Sequence, residues 1–457
     1  MLKESVIMDV MDVIGIGFGP SNIALAIALE ESGAYDDWLF LEGASTPVWQ
    51  EEMLFDISLD TYSNIQNIPY RDLVTPRNPR SRYTFLNYLV ENDLLFSHLN
   101  MDMLMPLRPD YAKYIQWVTR FFEDRVRYGR RVEALTYDEA APGGGAYRLV
   151  TNTGEEFLAR HVVIGTGRLP KVPSQFAKLE TDRIVHQSSY QSGTRPILSA
   201  QPSSKVAVIG SSQSAAEIIL HLSKTYPQLS IDSIMRRYAF PLKDTSPFMS
   251  EAYFPEFTDM YYESPVELRR RIDRDISRTN YGACDMDVLE EIYRQMYYDR
   301  LHGRNQIHLR RLTDIVDARV DNDRVELALA DRASGETRTA SYDLVILATG
   351  FSNIGPGPED LRSISLLDGL SSWLDSSAGE GHVDVDRGYA IDFANQPADA
   401  SGVVVLNGLC ERTHGIGDGG SLSLTSIRSA DILRRLRQSD EGTAAPVAVG
   451  SGMEEGR

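Results

Sequence analysis

The chain has 457 residues, enough for two or three domains at about 100–200 residues each. Hydrophobic residues make up 42% and charged residues 24%, which excludes a disordered or fibrous chain. Lys and Arg total 46 against 65 Asp and Glu, a net charge of −19, and a field of that sign repels a nucleic-acid backbone. No run approaches about 18 uncharged apolar residues, so no membrane span is expected. The N-terminal stretch lacks the basic-then-apolar pattern of a secretion signal. Cys284 and Cys410, the only cysteines, are too few for a disulfide framework or a cysteine-ligated metal, and fit a reducing cytoplasm.

In chain order, short β-rich runs alternate with helical stretches, the pattern of an α/β fold. Val10–Ile16 reads as a buried strand, followed by a glycine turn and a helix over about residues 21–31, and Trp38–Leu41 as the next strand. Short strands are expected at Tyr147–Thr151, Glu156–Ala159 and His161–Ile164. Lys205–Ile209 opens a second strand–turn–helix unit. From Pro247 to Leu301 aromatic and charged residues fall at helical spacing, which predicts a helical insertion. Tyr342–Ala348 reads as a further buried strand and Ser421–Arg437 as a closing helix. The acidic, glycine-rich stretch 438–457 is expected to be a disordered tail.

The first unit places Gly15-Ile16-Gly17-Phe18-Gly19-Pro20-Ser21-Asn22 between strand and helix, the context of a dinucleotide fingerprint. Gly15 permits the tight turn and Gly17 lets the backbone approach a pyrophosphate. The helix start supplies unpaired N–H groups and a partial positive charge. Pro20 departs from GxGxxG, standing where its third glycine falls. Glu42 closes the second strand, where a carboxylate accepts ribose hydroxyls and disfavours a 2′-phosphate.

The second unit, Gly210-Ser211-Ser212-Gln213-Ser214-Ala215, has Ser212 in place of the second glycine and is a weak signal alone. Arg236 and Arg237 follow the next strand, where a guanidinium meets a 2′-phosphate. An exposed arginine pair is otherwise a solvated surface. Together the units imply FAD at the first site and NADPH at the second. Gly165 and Gly167, then Thr349 and Gly350, follow buried strands as turns that carry the chain between nucleotide domains beside the flavin. Either turn alone also reads as a plain strand end.

With these motifs in place the chain resembles the flavin-dependent N-hydroxylating monooxygenases, the ornithine, lysine and diamine N-hydroxylases of siderophore biosynthesis. The resemblance runs from about Val10 to Arg437. It rests on GFGPSNIALA (Gly17–Ala26), RDLVTPRNPRSRYTFLNYL (Arg71–Leu89), GTGRLPKVP, HQSSY (His186–Tyr190), SSQSAAE (Ser211–Glu217), SPFMSEAYFPEF (Ser246–Phe257), RTNYG (Arg278–Gly282), LATGF and RTHGIGDGG…LSL (Arg412–Leu424).

The resemblance implies an α/β flavoprotein with two dinucleotide-binding domains. An FAD-binding domain would cover residues 8–195 and 342–437, an NADPH-binding domain 196–245 and 304–341, and a helical substrate-binding insertion 246–303. It implies FAD on Gly15, Gly17, Gly19, Pro20, Asn22 and Glu42, with Gln66 near the isoalloxazine and Thr349 and Gly350 close by. NADPH would lie on Ser211, Ser212, Gln213, Ser214 and Arg236, and the substrate among Arg71, Ser250, Asn280 and Ser423. By the same resemblance a primary amine of an amino acid or diamine is N-hydroxylated through a C4a-hydroperoxyflavin, and the protein self-associates as a dimer or tetramer.

The departures fall on the substrate side. Arg71 replaces the lysine expected before DLVT, Ser250 an asparagine, and Trp49-Gln50-Glu51-Glu52-Met53 the usual Trp-His-x-Gly-Met. About five extra residues lie between Met53 and Gln66. Arg presents a planar fork where Lys presents a point charge. Arg71 therefore either pairs the carboxylate of an ornithine- or lysine-like substrate, or answers an acidic amino acid such as aspartate, whose α-amine is oxidised, even to a nitro product. The chemistry demands no Ser/His/Asp constellation, so His414 is expected to be structural. Tyr253, Phe254, Phe257, Tyr261 and Tyr262 are expected to pack the insertion. One rival is a flavin-dependent NADPH oxidase or disulfide reductase, the reductase lacking its CxxC pair here, and another is a non-catalytic nucleotide-binding regulator that has kept the fold.

Overall fold

The computed structural model describes residues 9–55, 70–102, 105–142, 144–374, 382–397 and 400–441. Strand β1 (Val10–Ile16) leads into helix α1 (Pro20–Ser32) and β2 (Trp38–Leu41). Helices α2 (Phe85–Glu91), α3 (Leu95–Asn100) and α4 (Arg108–Thr119) precede β3 (Val126–Arg127), β4 (Val132–Asp138), β5 (Ala146–Thr151) and β6 (Glu156–Ile164). Then come β7 (Ile184–His186), α5 (Tyr190–Ala200), β8 (Lys205–Ile209), α6 (Gln213–Thr225) and β9 (Ser230–Ile234). The helical insertion holds α7 (Pro247–Ser250), α8 (Pro255–Glu263), α9 (Val266–Asp275) and α10 (Met286–Leu301), with proline in the first turn of α7 and α8. The chain returns through β10 (Ile307–Arg310), β11 (Thr313–Asp321), β12 (Arg324–Asp331), β13 (Thr337–Tyr342) and β14 (Leu344–Leu347). It ends in β15 (Val404–Leu406), α11 (Glu411–His414), α12 (Ile416–Gly419) and α13 (Thr425–Asp440).

Three sheets result. The first runs β3-β2-β1-β6-β5-β4, with β15 also on β6. The second, β10-β9-β8-β14-β7, is parallel throughout. The third is the antiparallel meander β11-β12-β13, whose Val325, Leu327 and Leu329 pack on Val345 and Leu347 of β14. In the second sheet β8 and β14 are apolar on both faces because α6 covers one and the meander the other. Helix α1 is apolar all round, buried from Asn22 to Leu29. It stops at Gly33, whose left-handed φ of 57° turns its N–H back to Leu29 O at 3.1 Å.

Four expectations change. The two strands expected at 156–159 and 161–164 are one, with Arg160 an exposed position inside it and pairing to β1 on either side. The first half of β6 pairs antiparallel with β5 and the second half parallel with β15, so the edge away from β1 serves two neighbours. The strand expected over 342–348 is divided at Asp343, whose carboxylate accepts the Lys205 N–H at 2.7 Å. Tyr342 ends β13, and β14 pairs with β7 and β8. Both β7 and β14 thus belong to the second sheet, not to the first as boundaries at 195 and 342 had it. Finally, α13 starts at Thr425 rather than Ser421 and runs to Asp440, where the carboxylate receives the Tyr35 hydroxyl at 2.7 Å and meets His161 at 3.1 Å. Most of the expected tail, 442–457, lies outside the described residues. Among the described residues no helix is long and apolar enough to cross a membrane.

Candidate active site

At the first turn, the carboxyl ends of β1, β6 and β15 converge on the start of α1. Gly17 has φ +85°, and a Cβ there would come within 2.7 Å of the Gly165 carbonyl oxygen. Helix α1 begins at Gly19 with no side-chain cap, and a Cβ on Gly19 would meet nothing within 4 Å. The helix start therefore faces open space with its N–H groups uncovered. Glu42 braces the turn from β2: one oxygen accepts the Phe18 N–H at 2.5 Å, the other the Ala44 N–H at 2.7 Å. Two of its four lone-pair positions stay available to a hydroxyl donor. Asn22 has a different place from the one expected. Its side chain is fully buried and donates to Ile16 O at 3.1 Å and Gly17 O at 2.7 Å, so it closes the turn from beneath.

Below the turn lies a polar network that sequence reasoning missed. Arg428 of α13, 2% exposed, donates to Asn407 Oδ1 at 2.8 Å, Asp418 Oδ1 at 2.7 Å and Ser21 Oγ at 2.9 Å. Asn407 in turn donates to Asn22 Oδ1 at 2.9 Å. The chain's C-terminal return is thereby wired to its first helix. A signal existed: Arg428, Ile432 and Leu436 fall four apart and share one buried face.

The second turn repeats the backbone solution. Gly210 has φ +144°, and a Cβ there would meet Ala348 O at 2.4 Å, so β8 and β14 end side by side. Helix α6 begins at Ser212 without a side-chain cap. Ser211 and Ser214 are half-buried beside it. The Gln213 amide is occupied at both ends, donating to Glu217 at 2.9 Å and accepting the Asp285 N–H at 2.8 Å. Arg236 and Arg237 are exposed just past β9. Arg237 donates to Gly282 O at 3.2 Å, while Arg236 makes no ion pair among the described residues. The two glycine links between the units lie together: Thr349 Oγ1 donates to Lys171 O at 2.5 Å, and Lys171 N–H to Gly350 O at 3.0 Å.

The segments bearing the expected substrate residues converge at the foot of the insertion. Asp72 is buried and accepts the N–H groups of Val74, Thr75 and Phe85 at 2.9, 2.6 and 2.7 Å, which fixes the backbone beside Arg71. The Arg71 guanidinium lies 5.9 Å from the Phe254 ring centroid, and partial burial holds its pKa below the usual arginine range. It makes no ion pair among the described residues. Ala252 and Tyr253, just after Ser250, pack with Ile416, Phe257 and Tyr281, and Tyr281 follows Asn280. Gly417 packs on Leu424, next to the buried Ser423. Gln66 lies outside the described residues.

Two buried titratable groups border this region. Burial lowers the His414 pKa to about 3, so its ring is neutral. It stacks on Tyr389 at 3.9 Å and its Nε2 donates to Arg387 O at 3.2 Å, a packed histidine as expected. Glu411, also missed in the sequence, receives the Tyr281 hydroxyl at 2.6 Å and the Asn353 amide at 3.0 Å, with Arg168 at 3.4 Å. Burial pushes its carboxyl up, against the pull of Arg168. The aromatic cluster mostly packs the insertion: Phe257 and Tyr261 stack at 5.7 Å and the Tyr261 hydroxyl donates to Asp273 at 2.8 Å. Phe254 instead faces Arg71.

Known proteins share this fold. The profile of the L-lysine 6-monooxygenase/L-ornithine 5-monooxygenase family matches residues 9–353. An L-ornithine N(5)-monooxygenase of Burkholderia cepacia is 36% identical over 420 residues, covering 89% of this chain and 90% of that protein. The ornithine hydroxylase PvdA of Pseudomonas aeruginosa superposes with a TM-score of 0.83 at 33% identity, covering 94% of this chain and all of that one. The Kutzneria sp. 744 ornithine N-hydroxylase KtzI, determined with reduced FAD, NADP+ and L-ornithine, superposes at 0.84 with 28% identity over 94% of this chain and all of that one. On the family match, the identity and the shared fold, this chain belongs to the L-lysine 6-monooxygenase/L-ornithine 5-monooxygenase family.

Proposed function

We propose that the protein is an FAD- and NADPH-dependent monooxygenase that N-hydroxylates a primary amine of an amino acid or diamine. The observation that carries this reading is the pair of uncapped helix starts, each at a glycine turn after a parallel strand, with a cation lacking an ion-pair partner among the described residues at the foot of the insertion. The residues fit the two cofactors. Open space over Gly19 and a forced glycine at Gly17 suit a pyrophosphate at the first turn. Glu42 suits ribose hydroxyls there, whereas Arg236 suits a 2′-phosphate at the second. When bound, the flavin supplies the oxygen transfer, and NADPH the electrons for it.

The protein's own part is to bind, orient and keep water out. Gly15, Gly17, Gly19 and Pro20 present backbone to the first cofactor, with Asn22 holding the turn from below; Ser211, Ser212 and Ser214 do the same for the second. Arg71 supplies positive charge for a substrate carboxylate, and Ser250, Asn280 and Ser423 wall the pocket. Ammonium must lose a proton to become nucleophilic, and the apolar surround of Tyr253, Phe254 and Ile416 favours the neutral amine. His414, neutral and hydrogen-bonded, is not needed as a base. The reading includes a cytoplasmic setting, where the buried thiols Cys284 and Cys410 stay reduced, and self-association as a dimer or tetramer.

A second reading keeps the chemistry and changes the substrate to an acidic amino acid. It is favoured by Arg71, a fork-shaped cation without an acidic partner among the described residues. The test is anaerobic bleaching of the flavin band by NADPH, followed by product analysis with ornithine, lysine, putrescine, cadaverine, aspartate and glutamate. A hydroxylamine from a basic amine supports the first reading. Product from aspartate alone selects the second, and a chain that binds no flavin overturns both.

A further inference from the structure

Between the two nucleotide units lies one buried ion pair that neither turn nor substrate wall accounts for. Arg108 opens α4, which packs into the core of the first unit through Tyr111 and Tyr114. Glu217 lies one turn into α6, the helix of the second turn. Arg108 Nη2 reaches both Glu217 oxygens, at 2.8 and 3.0 Å, with the side chains only 6% and 1% exposed. Arg108 Nη1 also donates to Met53 O at 2.9 Å. Glu217 accepts the Gln213 amide at 2.9 Å. Gln213 then holds the insertion twice, through the Asp285 N–H at 2.8 Å and by donating its own N–H to Ala283 O at 3.0 Å. One pair thus joins the first unit, the short helix at 51–53, the start of α6 and the insertion.

A buried ion pair is a poor way to gain stability, since apolar residues of the same volume hold two surfaces together as well or better. What it gives is orientation: a planar guanidinium whose Nη2 meets the carboxylate while Nη1 is tied to Met53 O has little freedom to rotate or slide. We infer that Arg108 and Glu217 are positioning residues that set the start of α6, and with it the nicotinamide cofactor, against the flavin-binding unit. This rests on the proposed function, because it assumes that hydride passes from one unit's ligand to the other's. Neither residue touches cofactor or substrate in this scheme; both act through Gln213 and the helix start.

The test is the double variant Arg108→Met/Glu217→Met, which removes both charges and keeps apolar volume, beside the single variant Arg108→Lys. Wild-type protein is first bleached by NADPH without air, which tests the proposed function by itself. The double variant is expected to keep its flavin and to be reduced by dithionite. Its NADP+ dissociation constant, read by calorimetry, is expected to rise about tenfold, and NADPH-driven reduction to slow about tenfold, with the amine KM unchanged. Amide exchange at residues 213–217 and 283–285 quickens even without cofactor. Arg108→Lys falls between. If the double variant does not fold, Arg108→Lys and Glu217→Gln are read for the same split between NADP+ and amine. Wild-type NADP+ affinity and reduction rate in a folded variant, or equal losses toward NADP+ and amine, would overturn the inference. No bleaching of the wild type would instead sink the proposed function.

Discussion

The two strand–turn–helix units solve the same backbone problem and differ in what surrounds it. In the first, Gly17 and Gly19 clear the turn, and Arg428, Asp418 and Asn407 brace it from inside the same unit. In the second, a serine stands at the helix start and the bracing comes from elsewhere: the insertion through Gln213 and the first unit through Arg108. The residues proposed to meet the two cofactors' sugars carry opposite charge, Glu42 against Arg236. A turn locked into its own unit suits a ligand that stays. One held from other units depends on how those units are placed against it.

The largest effect that could break this contrast is in the first unit. Arg428→Met strands the Asp418 carboxylate in the interior, and unpairing a buried charge costs about 3–5 kcal/mol. Thermal unfolding and the flavin-to-protein absorbance ratio should both fall; a variant with normal melting and full flavin would show that the network does not hold the turn. In the second unit the matching change is Arg236→Gln. A charged hydrogen bond of about 1.5–3 kcal/mol is lost, so kcat/KM for NADPH drops roughly 10- to 100-fold and NADH is little affected. Equal losses with both nucleotides would remove Arg236 from the 2′-phosphate.

A further test uses pH. The folded His414 pKa is about 3 against an ordinary 6.5, so the unfolded chain binds the extra proton between those values. Stability is full above about 6.5 and is lost as pH falls toward 3, with a slope of about 1.4 kcal/mol per pH unit. His414→Gln should flatten denaturation midpoints measured across that window; an unchanged slope would mean that the ring is not held neutral. The smallest effect is expected for Glu42→Gln. It loses one of two backbone N–H bonds, about 1 kcal/mol, and weakens FAD binding about fivefold without altering the NADPH/NADH ratio. Titration of apoprotein with FAD checks it.

Much of this was legible in the sequence because it repeats at short range. The strand bounds of β1, β2 and β8 follow from apolar runs ended by glycine, and the helical insertion from its spacing. What escaped is long-range pairing. Nothing local says that β14 joins β7 and β8 rather than the first sheet, or that β6 serves β5 and β15 in turn. Charged residues escaped for the same reason: nothing local singles out Arg108, Glu217, Arg428 or Glu411 until the fold brings their partners to them. Arg71, Ser250, Asn280 and Ser423 were named from motifs, and the segments that bear them converge. Asn22 and Gln213 were named as cofactor residues, but their side chains are engaged within the protein, Asn22 under the first turn and Gln213 with Glu217 and the Asp285 N–H.

The most direct measurement is the ratio of hydroxylated amine to NADPH consumed in air by the FAD-loaded protein. A ratio near one with an amino acid or diamine is the result expected. NADPH oxidised with hydrogen peroxide as the sole product, across basic and acidic amines alike, would contradict N-hydroxylation as the protein's reaction.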